Sequence, residues 1–123
     1  MRRAVLEMAI ACEIAAKQAL FSPSTQFGAA YGHLSRKGKV NVKVIDLIDS
    51  VAKTVLKRSF KEDEKIHYDN IDHIFRCRNQ AAHKGKLTYK DKGVEHSVDK
   101  STLPVWWDSA LTLLEWLKDN TPT

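Results

Sequence analysis

The sequence holds no apolar run approaching the roughly 20 residues that a membrane-crossing helix requires, so no helical span is expected. It has no phosphate-binding loop of the P-loop type and no dinucleotide-binding glycine pattern, which removes the common nucleotide-handling architectures. It carries neither an internal repeat nor a low-complexity tract, so a solenoid is not expected either. Cysteine occurs only twice, at Cys12 and Cys77, far apart and inside helix-like patterns. That usage favours reduced, buried thiols in a cytoplasmic protein over a disulfide or a metal pair. Met1-Arg2-Arg3 precedes an apolar run in the manner of a signal peptide, but Glu7 and Glu13 interrupt the run and no secretory cleavage pattern follows. The start therefore reads as mature helix. Periodicity that begins this early is also what a domain excised from a longer protein would show.

What is present is enough for one domain spanning 1–123, of which 43% is hydrophobic and able to form a core. The 20 basic residues outnumber 15 acidic ones, a formal charge of +5 that leans towards polyanionic partners without demanding them. A first helix is expected over residues 3–21. Met8, Ala11, Cys12, Ala15 and Ala19 lie opposite its polar residues, and Leu6, Ile10 and Ile14 form a second apolar stripe on the polar side. Two adhesive faces imply a central place in a bundle or a face given to another subunit. Glu13 borders that second stripe, and solvation is its simplest role.

Ser22-Pro23-Ser24 breaks the first helix, and Phe27, Ala30, Tyr31 and Leu34 then suggest a short helical element before the basic loop Arg36-Lys37-Gly38-Lys39. From about Asn41 to Phe60 the residues Val44, Ile48, Val51 and Val55 mark an amphipathic helix, followed by a charged connection from Lys61 to Lys65. A third long helix begins near Ile66 to Asn70, with Asp69 or Asn70 as a plausible N-cap. After Gly85 the period changes. Leu87-Thr88-Tyr89 and Val94 to Val98 flank Asp91-Lys92-Gly93 as a hairpin. Ser101 or Thr102 then caps a last helix whose buried stripe is expected to be Trp107, Ala110, Leu111, Leu114 and Leu117, with Trp106, Leu113 and Trp116 to one side. The tail from Asn120 should fray.

Within the third long helix, Ile71, Ile74, Phe75, Arg78 and Ala82 share a stripe, which puts a guanidinium where an apolar residue is expected. An unpartnered buried charge is strongly unfavourable, so the stripe must open there onto solvent, a carboxylate, another subunit or a ligand. Asn79 and His83 are four residues apart and hence neighbours, so the amide can orient the imidazole. Gly85 supplies a helix stop, with His83 and Lys84 in the last turn, where the helix dipole favours positive charge.

Such a set suits metal-independent RNA cleavage. An imidazole can take a proton from a ribose 2′-hydroxyl or give one to the departing 5′-oxygen, and a guanidinium can meet two phosphate oxygens and stabilise developing charge. A second proton-transfer partner is missing from one chain, and a two-fold dimer would supply it.

Arg78, four intervening residues and His83, with polar Asn79 directly after the arginine, resemble the signature of the HEPN superfamily, an arginine, then four to six residues, then a histidine. The run from Arg78 to Gly85 followed by Leu87-Thr88-Tyr89 most resembles the Apea-like branch, and the order of elements across most of the chain is similar. The resemblance implies an all-α, up-and-down bundle of four to five helices with a small β-hairpin before the last helix. It also implies a homodimer and an endoribonuclease of toxin or defence type, needing no cofactor or metal and paired in some systems with an antitoxin. On that basis Arg78 binds phosphate, His83 is the general acid and base, and Asn79 positions His83. Some members of the superfamily serve instead as nucleic-acid-binding or assembly modules. Two other readings of the residues stand beside it: Arg78 in a structural ion pair with Glu13 or Asp72 and His83 as a helix cap, or a metal site from His67, Asp69 and His73.

Overall fold

The computed structural model describes residues 1–20 and 43–121. The expected element over Phe27 to Leu34 and the basic loop Arg36 to Lys39 lie outside the described residues. Among those described, the chain is a helical bundle carrying one small antiparallel hairpin before the last helix, as expected. Helix α1 spans Arg2–Leu20. Helix α2 is composite, with Val44–Asp46 and Ala52–Leu56 flanking a π-helical stretch, Leu47–Val51. Helix α3 is the short Phe60–Asp63, α4 runs Lys65–Lys84, strands β1 and β2 span Thr88–Asp91 and Val94–Ser97, and α5 spans Thr102–Asn120. Among the described helices none is long and apolar enough to cross a membrane.

Helix α1 turns Val5, Met8, Ala9, Cys12, Ala16 and Leu20 inward against α4 and α5. Ile10 and Ile14 remain half exposed, so the second stripe is left uncovered among the described residues. The wide π turn changes which residues of α2 face the core. Val44, Leu47, Ile48 and Ala52 are buried and Val51 is half-buried against them, but Val55 is 38% exposed, because the wider turn rotates the residues after it. Ser50 and Thr54 donate hydroxyl hydrogen bonds to the carbonyls four residues back, a habit that loosens helices. The helix ends earlier than expected, at Lys57, which has a left-handed backbone with φ 68°. Ser59 then caps α3, so part of the charged stretch expected to be a connection is helical.

Helix α4 starts at Lys65, ahead of the expected caps. Asp69 instead pairs with Lys65 at 2.6 Å, and Asn70 donates to the buried hydroxyl of Ser109 at 2.9 Å. Its core stripe is Tyr68, Ile71, Ile74, Cys77 and Ala81. The hairpin turns at Lys92 and Gly93, both with positive φ (52° and 80°), as a two-residue turn matched to strand twist requires. It is held to the bundle by Tyr89, whose ring stacks on His73 at 4.5 Å and on His96 at 5.1 Å and tilts against Trp106 at 5.6 Å. Arg76 adds a hydrogen bond to the Lys90 carbonyl.

The phase expected for α5 is wrong. Trp106, Leu113 and Trp116 are in the core with Ser109, Ala110 and Leu117, whereas Trp107 and Leu111 face solvent. Apolar residues flank both sides of this helix, so periodicity leaves a rotation of about 100° undecided. Tertiary partners decide it: Trp116 packs edge-on to Phe60 at 5.4 Å and donates its indole N–H to Asp63 at 3.0 Å. Ser101 is the N-cap residue, as expected, but its hydroxyl makes no capping bond; the carboxylate of Asp99 accepts instead from the backbone N–H groups of Ser101 and Thr102. At the other end the Thr121 N–H bonds to the Leu117 carbonyl, so Asn120 is helical and the tail is held at least through Thr121.

Candidate functional site

Arg78 follows buried Ile74 by four residues and Ile71 by seven, within about 40° of both round α4, so it lies on the apolar stripe as expected, at the point where the stripe opens onto water. Its side chain is one-third exposed and meets Glu13 of α1, Nη1 to Oε2, at 3.5 Å. Its guanidinium carbon lies 5.2 Å from the centre of the Phe75 ring, and Nη2 donates to the Asn79 amide oxygen at 3.3 Å. Glu13 also accepts from Lys17 at 3.0 Å, so it is a partner of two cations and not merely solvated. Asp72, the other candidate partner, pairs with Arg76 at 2.9 Å. An ion pair this open to water stabilises the fold by about 1 kcal/mol or less, so an incoming anion can compete with Glu13 for the guanidinium.

Above this pair a groove of about 580 Å³ opens between α1, α4 and the start of α2, with Glu13, Phe75, Arg78 and Asn79 among its walls. Among the described residues, Lys43, Arg76 and Arg78 line it with Glu13, Asp46 and Asp72, three cations beside three carboxylates. Further cations lie around the end of α4, where Lys84 and Lys86 are exposed beside His83 and Arg2 reaches the Ala81 carbonyl at 3.4 Å.

His83 occupies the last turn of α4 and is exposed, with no hydrogen bond to a described residue. Gly85 ends the helix as expected, with φ 67° and its N–H bonded to the Ala81 carbonyl at 3.1 Å. His83 lies five positions after Arg78, which places them about 140° apart round the axis and about 7.5 Å along it. In a single chain they point to different sides. Asn79 is closer to the azimuth of His83, about 40° away, yet its oxygen is turned to Arg78. The structure thus brings Arg78 and Asn79 together with Glu13, and leaves His83 apart from them.

The alternative metal ligands do not assemble. The His67 Nδ1 is 2.8 Å from the Ser109 hydroxyl, Asp69 is held by Lys65, and His73 stacks on Tyr89 with its Nε2 3.6 Å from Asp91. No cluster of three candidate ligands exists among the described residues. Both cysteines are buried and reduced, and burial pushes their thiols up to about 12 for Cys12 and about 11 for Cys77, so neither is a nucleophile at neutral pH.

Sequence reasoning missed the stack of His73, Tyr89 and His96 and the polar contact of His67 and Asn70 with Ser109. The signal for the second was a serine at a core position of α5, hidden by the wrong helix phase. No protein-family model, curated protein or solved structure matches the chain.

Proposed function

We propose that this domain is a metal-independent endoribonuclease of the HEPN type, in which Arg78 binds the scissile phosphate and His83 transfers protons, with the site completed across a dimer. The observation that carries the reading is the placement of Arg78 on the wall of an open groove, with His83 exposed at the end of the same helix. The weak hold of Glu13 supports it, because a phosphate bearing two accessible oxygens makes the bidentate contact that a single 3.5 Å carboxylate contact does not. Cleavage would proceed by attack of the 2′-hydroxyl on the adjacent phosphorus. An imidazole accepts the hydroxyl proton, the guanidinium meets the charge growing on the non-bridging oxygens, and a second imidazole protonates the departing 5′-oxygen. The separation of Arg78 and His83 on one helix means that a single chain does not supply this set, and a second copy is required.

A second reading has its own support. The Asn79 oxygen is engaged by Arg78 and not by His83, and the cations and carboxylates among the described groove residues balance, as an assembly module without catalysis would have it. Incubating the protein with end-labelled RNA in excess EDTA separates the two. The nuclease reading expects discrete products that disappear in His83→Ala and fall by about 100-fold or more in Arg78→Ala. Intact RNA with the parent protein across substrates, or undiminished cutting by His83→Ala, would remove it. RNA binding that weakens steeply with salt and leaves the RNA whole would support the module.

A further inference from the structure

Among the described residues, helix α1 carries a second register outside the core whose charged members pair only within the helix, Arg3 with Glu7 at 2.9 Å and Lys17 with Glu13 at 3.0 Å. Arg3, Glu7, Ile10, Ile14 and Lys17 follow one another at spacings of four, three, four and three, the a/d rhythm of a coiled-coil seam. The core face of the same helix is a different set, Val5, Met8, Ala9, Cys12 and Ala16. The seam residues are open: Ile10 and Ile14 are each 51% exposed, and the side chains of Arg3, Glu7 and Lys17 are 91%, 61% and 42% exposed. Two isoleucines at the middle of a seam with charges at its ends define a particular mate. Laid against a second copy in parallel, the seam sets Glu7 against Glu7 and Lys17 against Lys17. Laid antiparallel about Cys12, it sets Ile10 against Ile14 of the second copy and Glu7 against Lys17 of the second copy, each contact occurring twice.

We infer that α1 pairs antiparallel with α1 of a second copy of this chain, and that both Glu13–Arg78 pairs then lie on one side of the α1 seam. The second part follows from symmetry. The two-fold axis of an antiparallel pair stands perpendicular to the plane of the two helices, so a feature on the upper side of one helix returns on the upper side of the other. Glu13 lies about 80° round α1 from the seam centre, close to that axis direction, and it is the residue through which α1 meets Arg78 of α4. The seam becomes a floor, and the two α4 helices stand on the same side of it. The inference rests on the geometry of α1 alone, and it supplies the pairing that the proposed cleavage needs.

Sedimentation equilibrium of the full chain over a wide concentration range tests it. Wild type is expected to show a concentration-dependent dimer. Glu7→Lys and Lys17→Glu should each raise the dimer dissociation constant by about tenfold or more, and the two together should return it to near the wild-type value. Ile10→Asp should leave only monomer. A wild-type protein that stays monomeric at every concentration overturns the inference. So does a dimer that is indifferent to the single reversals, whose interface must lie elsewhere, for example on Trp107 and Leu111 of α5. Single reversals that weaken the dimer without rescue by the double exchange overturn the antiparallel register. Far-UV circular dichroism checks that each variant is folded, and Ile14→Ser, read in the same way, covers a reversal that is not. A dimer behaving as expected but inert towards RNA would leave the seam standing and remove only the nuclease reading.

Discussion

Gly85 shows how a single residue sets the frame for the candidate site. Its φ of 67° is a left-handed conformation that closes the last turn of α4 and fixes where His83 and Lys84 emerge. A Cβ built there meets nothing within 4 Å, so the strain of Gly85→Ala is conformational and not steric. That substitution should lower the unfolding free energy by about 1–2 kcal/mol, measurable as a reduced urea midpoint with an unchanged slope. Arg78 carries the opposite lesson. As a charge on an otherwise apolar stripe it was visible in the sequence as an anomaly, but its partner was not. Glu13 lies 65 positions earlier and is one of many helix-surface glutamates in pattern, and only the crossing of α1 over α4 selects it.

At the scale of elements, α5 separates what periodicity can and cannot decide. The existence of the helix, the position of Pro104 in its first turn and its approximate length were legible, because an amphipathic stretch with a clear start is a local property. Its rotation was not. Trp106 and Trp107 are adjacent and equally apolar, yet one is 2% and the other 55% exposed. Trp106→Ala should therefore destabilise the protein by about 3–5 kcal/mol, and Trp107→Ala by about 1 kcal/mol or less, a contrast that denaturant titration of the two variants would reveal. If Trp107 proved the costlier loss, the phase of the helix described here would be wrong. Helix α2 failed for a related reason. Its π turn adds a residue to one turn, and a pattern search that assumes a constant 3.6-residue period places Val55 in the core when it is 38% exposed.

At the scale of the whole molecule, two carboxylates hold separate parts of the chain and tie its stability to acid. Hydrogen bonds from Arg58 and Trp116 hold the Asp63 carboxyl below the usual carboxylate range, joining α3 to the end of α5. Hydrogen bonds from Ser101 and Thr102 do the same for Asp99 at the start of α5. A folded-state value below the unfolded one means that the contribution is fully present above the unfolded value, near pH 4, and is lost as pH falls through the folded value. The urea midpoint should therefore decline with acid below about pH 4, and Asp63→Asn with Asp99→Asn should make that decline shallower. An unchanged acid limb in the double variant would assign acid sensitivity to other groups.

By itself the sequence determined the class of fold, the hairpin, the terminal glycine of α4 and the concentration of Arg78, Asn79 and His83 on one helix. These are consequences of local backbone preference and of spacing along the chain, which act over a few residues. Only the tertiary structure decided which face of α5 is buried, that Glu13 holds Arg78, that Asn79 turns towards the arginine, and that His83 stands apart from both. Those outcomes depend on which side chains from distant segments compete for the same space and the same hydrogen bonds, and on helix rotation, to which one-dimensional spacing is blind.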